Sequence, residues 1–166
     1  MALKTDIRGM IWRYPDYFVA GREQLRGFAS AIKCDHPAYF DEDAAAKLGY
    51  DNIVAPLTFA SVLAKLVQTD FFRNVDVGME TMQIVQVDQK FVFYKTILAG
   101  DVLWAQMEIH SVDERFGADI VVTRNTCIND AGELMLEAYT TLMGQQGDGS
   151  AKLKWDKESG QVIRTA

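Results

Sequence analysis

The sequence predicts an α+β fold in which a strongly curved antiparallel sheet of about five strands wraps one long apolar helix. Three observations predict it. Apolar residues recur at helical spacing before about residue 80 and alternate with polar ones after it; no Pro/Ser-rich linker separates the two halves; and the longest helical stripe is so apolar that only a sheet face can bury it.

Near the start, Leu25, Phe28, Ala29 and Ile32 fall at i, i+3, i+4 and i+7, with Arg22, Glu23, Arg26 and Lys33 on the other side. This is a short amphipathic helix. A second small helix follows at residues 41–49, where Asp41, Glu42 and Asp43 favour a helix start, Ala44 to Ala46 propagate it, and Gly49 sits where a C-terminal cap belongs. The strongest helix begins at Pro56, a residue suited to a first helical position, and carries Phe59, Val62, Leu63, Leu66, Val67 and Phe71 as one stripe. From Met82 the period is two: Val85, Val87, Phe91 and Phe93 share one face and Gln86, Asp88 and Lys90 the other. Strands at 102–112, 119–128 and 134–143 follow, separated by turn signals around Gly100, Gly117 and Gly132, and residues 14–19 add one more. Residues 1–145 thus form the folded domain. Residues 146–166 read as a polar C-terminal extension, flexible at Gly147 to Ser150, with Trp155 as the side chain through which it would dock.

Composition narrows the function. With 49% hydrophobic residues, nine Phe, six Tyr and three Trp in 166 residues, the chain can bury a core as one domain, and three Pro and two Cys exclude collagenous or disulfide-stapled scaffolds. Twenty-three acidic against seventeen basic residues give a net charge of -6 with no basic run, so nucleic acid is not an expected partner. The longest uncharged stretch, residues 52–64, contains Pro56 and falls short of the roughly 20 residues of a bilayer crossing, so no membrane span is expected. The first residues read as no apolar targeting segment, so a cytoplasmic protein is expected. Cys34 and Cys127 suit a reducing compartment and have no metal-ligand spacing. No phosphate loop, dinucleotide fingerprint, nucleophile elbow or His pair occurs, so no cofactor and no metal are expected.

Two histidines are available for chemistry. His36 lies beside Asp35 in a loop between two helices, which suits an acid/base pair; yet neighbours in an extended loop point apart, and such an Asp also serves local backbone. His110, on the face of Trp104, Gln106 and Glu108, reads as a solvated sheet residue. The Phe, Leu and Met residues around the long helix fit either an acyl tunnel or ordinary core, and periodicity does not separate the two.

Several segments carry a family resemblance: Asp6-Ile7-Arg8-Gly9-Met10, Arg13-Tyr14-Pro15-Asp16, Ala55-Pro56-Leu57-Thr58-Phe59, Gln83 to Gln89, Leu98-Ala99-Gly100-Asp101, Glu137 to Leu142 and Lys154-Trp155-Asp156-Lys157. Through them the chain resembles the MaoC-like hot-dog proteins, in the branch of (3R)-hydroxyacyl-ACP dehydratase subunits of type II fatty acid and mycolic acid elongation. The resemblance implies a hot-dog fold that pairs into a double hot dog. It also implies an active-site loop reading Asp-x-Asn-Pro-x-His, whose His takes the proton from carbon 2 while the Asp handles the departing hydroxyl.

This chain departs from that pattern. Aligned on Pro37, the family's Asn falls on His36, its catalytic Asp on Cys34 and its catalytic His on Tyr39. A thiol and a phenol are too weakly acidic to replace that pair near neutral pH. A one-residue shift would place Asp35 at the acid position but lose the match at Pro37 and still bring no His into register. Where the hydratase branch has a His-Gly pair whose glycine N–H receives the thioester oxygen, this chain has Pro56-Leu57. The resemblance therefore implies no catalytic residue here, with Cys34 and Tyr39 at degenerate positions. A HadB-like, hydratase-type subunit would supply catalysis in a heterodimer. This chain would shape the groove for a long 3-hydroxyacyl chain borne by acyl carrier protein, through Phe40, Val54, Leu57, Phe59, Leu63 and Phe71. Carrier proteins are acidic, so a local basic patch, with Lys4, Arg8 and Arg13 as contributors, would receive one. Two other readings stay open: a self-sufficient hydratase or thioesterase using Asp35 and His36, and an acyl-binding scaffold without catalytic role.

Overall fold

The computed structural model describes residues 7–77, 82–146 and 152–165. In chain order they form β1 (Ile11–Arg13), β2 (Phe18–Val19), α1 (Arg22–Ala31), a 3₁₀ turn at Pro37–Tyr39, α2 (Glu42–Ala46), a 3₁₀ turn at Leu57–Phe59 leading into α3 (Ala60–Asn74), and then β3 (Met82–Phe93), β4 (Val102–Arg115), β5 (Ala118–Asn129), β6 (Leu134–Gln146), β7 (Lys152–Asp156) and β8 (Gln161–Thr165). Six strands make one antiparallel sheet in the order β1-β4-β5-β6-β3, with β2 also beside β4, while β7 and β8 pair separately.

The core lies between α3 and the inner face of this sheet. Leu63, Val67 and Phe71 of α3, with Phe59 just ahead of it, share one buried cluster with Leu103, Met107 and Ile109 of β4, Val121 and Cys127 of β5, and Leu136 and Ala138 of β6. Each large side chain so enclosed contributes about 1.5–3 kcal/mol. Two contacts lock the far end of α3: Trp12 of β1 donates from Nε1 to Asp70 at 2.8 Å, and its ring meets Phe71 edge-on at 6.1 Å. The β4–β5 turn places both Phe116 (φ 55°) and Gly117 (φ 74°) in the left-handed region that a two-residue hairpin turn requires, and Phe116 is fully exposed at its tip.

Several expectations need correction. Pro56 precedes the long helix rather than opening it: its ψ of 143° is extended, and one 3₁₀ turn intervenes before Ala60. Ile32 lies past the end of α1 and is exposed. Of the strand expected at 14–19 only Phe18–Val19 forms, and a second short strand, Ile11–Arg13, precedes it, with Pro15, which has no N–H for a ladder, between the two; the six strands that result accord with the about five expected. A bulge between Gln86 and Asp88 breaks the alternation in β3: Gln86 pairs with the buried Leu142 and Val85 with Met143 on the other face, so Val85 does not share a face with Phe91. The extension is not simply a polar tail. Strand β6 runs to Gln146, and β7 and β8 form a hairpin in which the turn residue Gly160 (φ 63°) lies against the guanidinium of Arg73 at the end of α3. The Trp155 side chain, the expected anchor, lies outside the described residues.

Candidate functional site

The loop at residues 33–41 starts where α1 stops. Lys33 takes a left-handed conformation (φ 57°), and the Cys34 N–H donates back to the Ala29 carbonyl at 2.9 Å, closing the helix as a left-handed cap does. Cys34 is half-buried while Asp35 and His36 are exposed. His36 caps the next turn, its Nδ1 accepting from the Ala38 N–H at 3.2 Å, and the Tyr39 ring stands edge-on to it at 5.8 Å. No hydrogen bond or ion pair joins Asp35 to His36 among the described residues.

Neighbouring elements fix this loop. Arg26 donates to the Phe40 carbonyl, and Arg22 pairs with Glu42 at 2.6 Å, tying α1 to α2. That guanidinium bond holds the Glu42 carboxyl well below the usual range, at about 2. Asp41 caps α2 by accepting from the Ala44 N–H at 2.8 Å. The Val54 N–H donates to the Ala38 carbonyl at 3.0 Å, which joins the loop to the segment entering α3. That segment is in turn laced to residues 97–99 by Ala55 N–H to Ile97 and Ala99 N–H to Ile53, both 2.9 Å. At the head of α3, Pro56 offers no N–H, its carbonyl accepts from Phe59 at 2.8 Å, and Leu57 is 65% exposed.

The six proposed groove residues spread from surface to core. Leu57 is exposed, and Phe40 and Val54 are half-buried beside the loop. Phe59 is enclosed by the rings of Phe18 and Phe28, Leu63 faces the sheet, and Phe71 packs with Trp12 and Phe72 at the other end of the helix. Of the proposed basic patch, Arg8 lies 3.8 Å from Asp113, Arg13 is exposed on β1, and Lys4 falls outside the described residues. Both cysteines are free thiols, and burial pushes Cys127 up to about 12, so it stays protonated. His110 is exposed at a bulge in β4, its ring edge-on to Tyr139 at 5.7 Å. Among the described residues no three His, Cys, Asp or Glu side chains gather as a metal site, and no helix is long and apolar enough to cross a membrane.

Sequence reasoning missed two features. On the outer face of the sheet the buried carboxylate of Glu137 accepts from Arg124 and from the hydroxyls of Tyr139 (3.2 Å) and Tyr94 (3.4 Å), and Arg124 also reaches Glu108 at 3.5 Å. The guanidinium bond holds Glu137 below the usual carboxylate value. Strand position alone, with Glu137 opposite Thr126 and Arg124 opposite Tyr139, gives the signal only once the register is known. The second is Asn125, which shares the inward face of β5 with Val121, Thr123 and Cys127 and was legible as a polar residue at an apolar parity.

Comparisons agree with this geometry. Residues 9–138 match the family model "FAS1-like, dehydratase domain region". The UPF0336 protein Rv0637 of Mycobacterium tuberculosis (strain ATCC 25618 / H37Rv) is 81% identical over 166 residues, covering 100% of both chains. A crystal structure of a C-terminally truncated HadBC (3R-hydroxyacyl-ACP dehydratase) complex from Mycobacterium tuberculosis contains a chain 75% identical, with a TM-score of 0.81, covering 86% of this chain and all of that one. A "MaoC-like dehydratase" matches at 34% identity and a TM-score of 0.80 over 86% of this chain and 43% of its own. The chain belongs to this dehydratase-domain family and has its hot-dog fold, a six-stranded antiparallel sheet around a long helix.

Proposed function

From the premise that the chain belongs to that dehydratase family, we propose that it is the non-catalytic, groove-forming subunit of a heterodimeric (3R)-hydroxyacyl-ACP dehydratase acting on long-chain thioesters in type II fatty acid and mycolic acid elongation. One observation carries the reading. Where syn dehydration needs a base, an acid and an open N–H for the thioester oxygen, residues 39 and 34 supply a phenol and a thiol, and Pro56-Leu57 puts a leucine side chain where the pattern has its glycine. The neighbouring His36 does not substitute, since its Nδ1 accepts from Ala38 and nothing orients it against Asp35.

In this reading a hydratase-type subunit brings the Asp and His, and the two sheets meet along β3. That edge strand is 12 residues long and exposes Ile84, Val85 and Val87, which supports it as the pairing edge. The HadBC complex named above supports a HadB-like partner. The acyl chain, delivered by an acyl carrier protein, would enter past Leu57, Phe40 and Val54.

Co-expression with a HadB-like subunit tests the proposal. A stable heterodimer active on 3-hydroxyacyl and trans-2-enoyl thioesters is expected, with its long-chain activity dependent on this chain. Unchanged long-chain turnover by the partner alone would leave only a scaffolding role. Brisk hydration of a crotonyl thioester by this chain, purified without any partner, would overturn the proposal.

A further inference from the structure

The bulge in β3 brings two amides together on the long exposed edge of the sheet. In a regular strand Gln86 and Gln89, three residues apart, point to opposite faces. The register shift between Gln86 and Asp88 inserts Val87 as an extra residue, so that Gln86 stands opposite Leu142 and Gln89 opposite Thr140, two positions on the same face of β6. The side chains then meet, with Gln86 Nε2 3.3 Å from Gln89 Oε1. Bulges re-aim side chains, and here the re-aimed one is polar on an edge that also exposes Ile84, Val85 and Val87.

The direction of each amide is fixed by what it meets. Gln89 reaches the Tyr139 carbonyl at 2.9 Å, a group that only accepts, so the Gln89 NH2 lies there and its Oε1 lies on the other side, where the Thr140 hydroxyl donates to it at 2.9 Å. Thr140 is buried and anchors this arrangement from β6. Gln86 therefore turns its own NH2 toward Gln89 Oε1, which directs Gln86 Oε1 away from the pair. No side chain or backbone group donates to that oxygen among the described residues, and Gln86 is exposed.

We propose that Gln86 selects the strand that pairs with β3: its outward oxygen accepts from a donor side chain of the partner subunit, a hydroxyl, an amide or a basic group, and a strand that is purely apolar at that position is refused. The inference rests on the subunit reading above, in which β3 is the seam. Water satisfies Gln86 in the free chain. A strand laid along the edge removes that water, and a polar group left buried and unpaired weakens association more than a matched bond strengthens it. One polar unit in an apolar seam thereby fixes partner and register, as a buried Asn does in a coiled coil. Gln89 is a positioning residue that acts through Gln86.

The test is the affinity of the full-length chain for a HadB-like subunit, measured by titration calorimetry and sedimentation. Gln86→Leu keeps the bulk and adds apolar surface, yet should weaken the heterodimer by about tenfold, because the partner's donor is buried unpaired. A seam held by apolar contact alone would bind Gln86→Leu as tightly as the parent or more so, and that result overturns the proposal. Gln86→Glu keeps an outward acceptor and should bind more tightly than Gln86→Leu; the reverse order would mean that the partner presents an acceptor, and overturns it too. Both variants should melt within about 3 °C of the parent, since the position is exposed in the free chain. Self-association of the free chain that Gln86→Leu abolishes, with the heterodimer unchanged, would make a second copy the occupant and overturn the assignment. Failure of the parent chain to pair with any hydratase-type subunit removes the subunit reading and this inference with it, whereas pairing that ignores position 86 removes this inference alone.

Discussion

The two edges of the sheet differ in kind. At one, β1 and β2 have three and two residues, Pro15 lies between them, and Trp12 is tethered to α3 through Asp70. At the other, β3 runs for 12 residues, with Val85 and Val87 each 51% exposed. A short, interrupted edge tied to the core offers few free backbone groups for another strand, whereas a long apolar edge offers a row of them. The asymmetry favours a closed pair over an open ladder of sheets.

The largest expected effect breaks this contrast. The double substitution Val85→Lys, Val87→Lys should weaken heterodimer formation by about 100-fold, because two ammonium groups must be desolvated in the seam. The matched Val19→Lys at the opposite edge should change it less than about twofold; co-purification and sedimentation of the variants measure both. Equal losses from the two edges would erase the distinction.

A smaller effect tests what holds the adhesive edge in shape. Glu137 ties β5 through Arg124, β6 through Tyr139, and the end of β3 through Tyr94. Glu137→Gln keeps the outline but removes the charge, and should cost about 2 kcal/mol, read as a fall of about 4–8 °C in melting temperature. The same carboxyl gives a pH signature. It titrates below the ordinary value of 4.5 in the folded chain, so its contribution is complete above that pH and is lost as pH falls through the folded value. Glu137→Gln should therefore flatten the acid limb of the stability profile followed by thermal melts. Smallest of all, Asp35→Asn and His36→Ala should each leave the turnover of the heterodimer within about twofold. A loss of 100-fold would move the chemistry into this chain.

Much of the fold was legible because its determinants are local. The stripe from Phe59 to Phe71 fixes the face that α3 buries, and the turn signals at Gly117 and Gly132 fix the strands between them. The bulge in β3 was not legible, since it shows only in the register, where the exposed Gln86 pairs with the buried Leu142 across a sheet set at long range. The β7–β8 hairpin was hidden by its composition, as Lys, Asp and Glu suppress the alternation that marks a strand. At the site, the unusual residues at 34, 39 and 56 stand in the sequence, but that His36 spends its Nδ1 on a local turn is a matter of backbone geometry.

The proline ahead of α3 has a consequence for anyone wishing to make this polypeptide work unaided. Installing an aspartate at 34 and a histidine at 39 would furnish a proton shuttle without a clear oxygen site beside it, because residue 56 carries no hydrogen and the next N–H, that of Leu57, stands behind a leucine side chain where the pattern has a glycine. Re-engineering would have to begin with that Pro56-Leu57 pair, and only afterwards turn to the groups that shuttle protons.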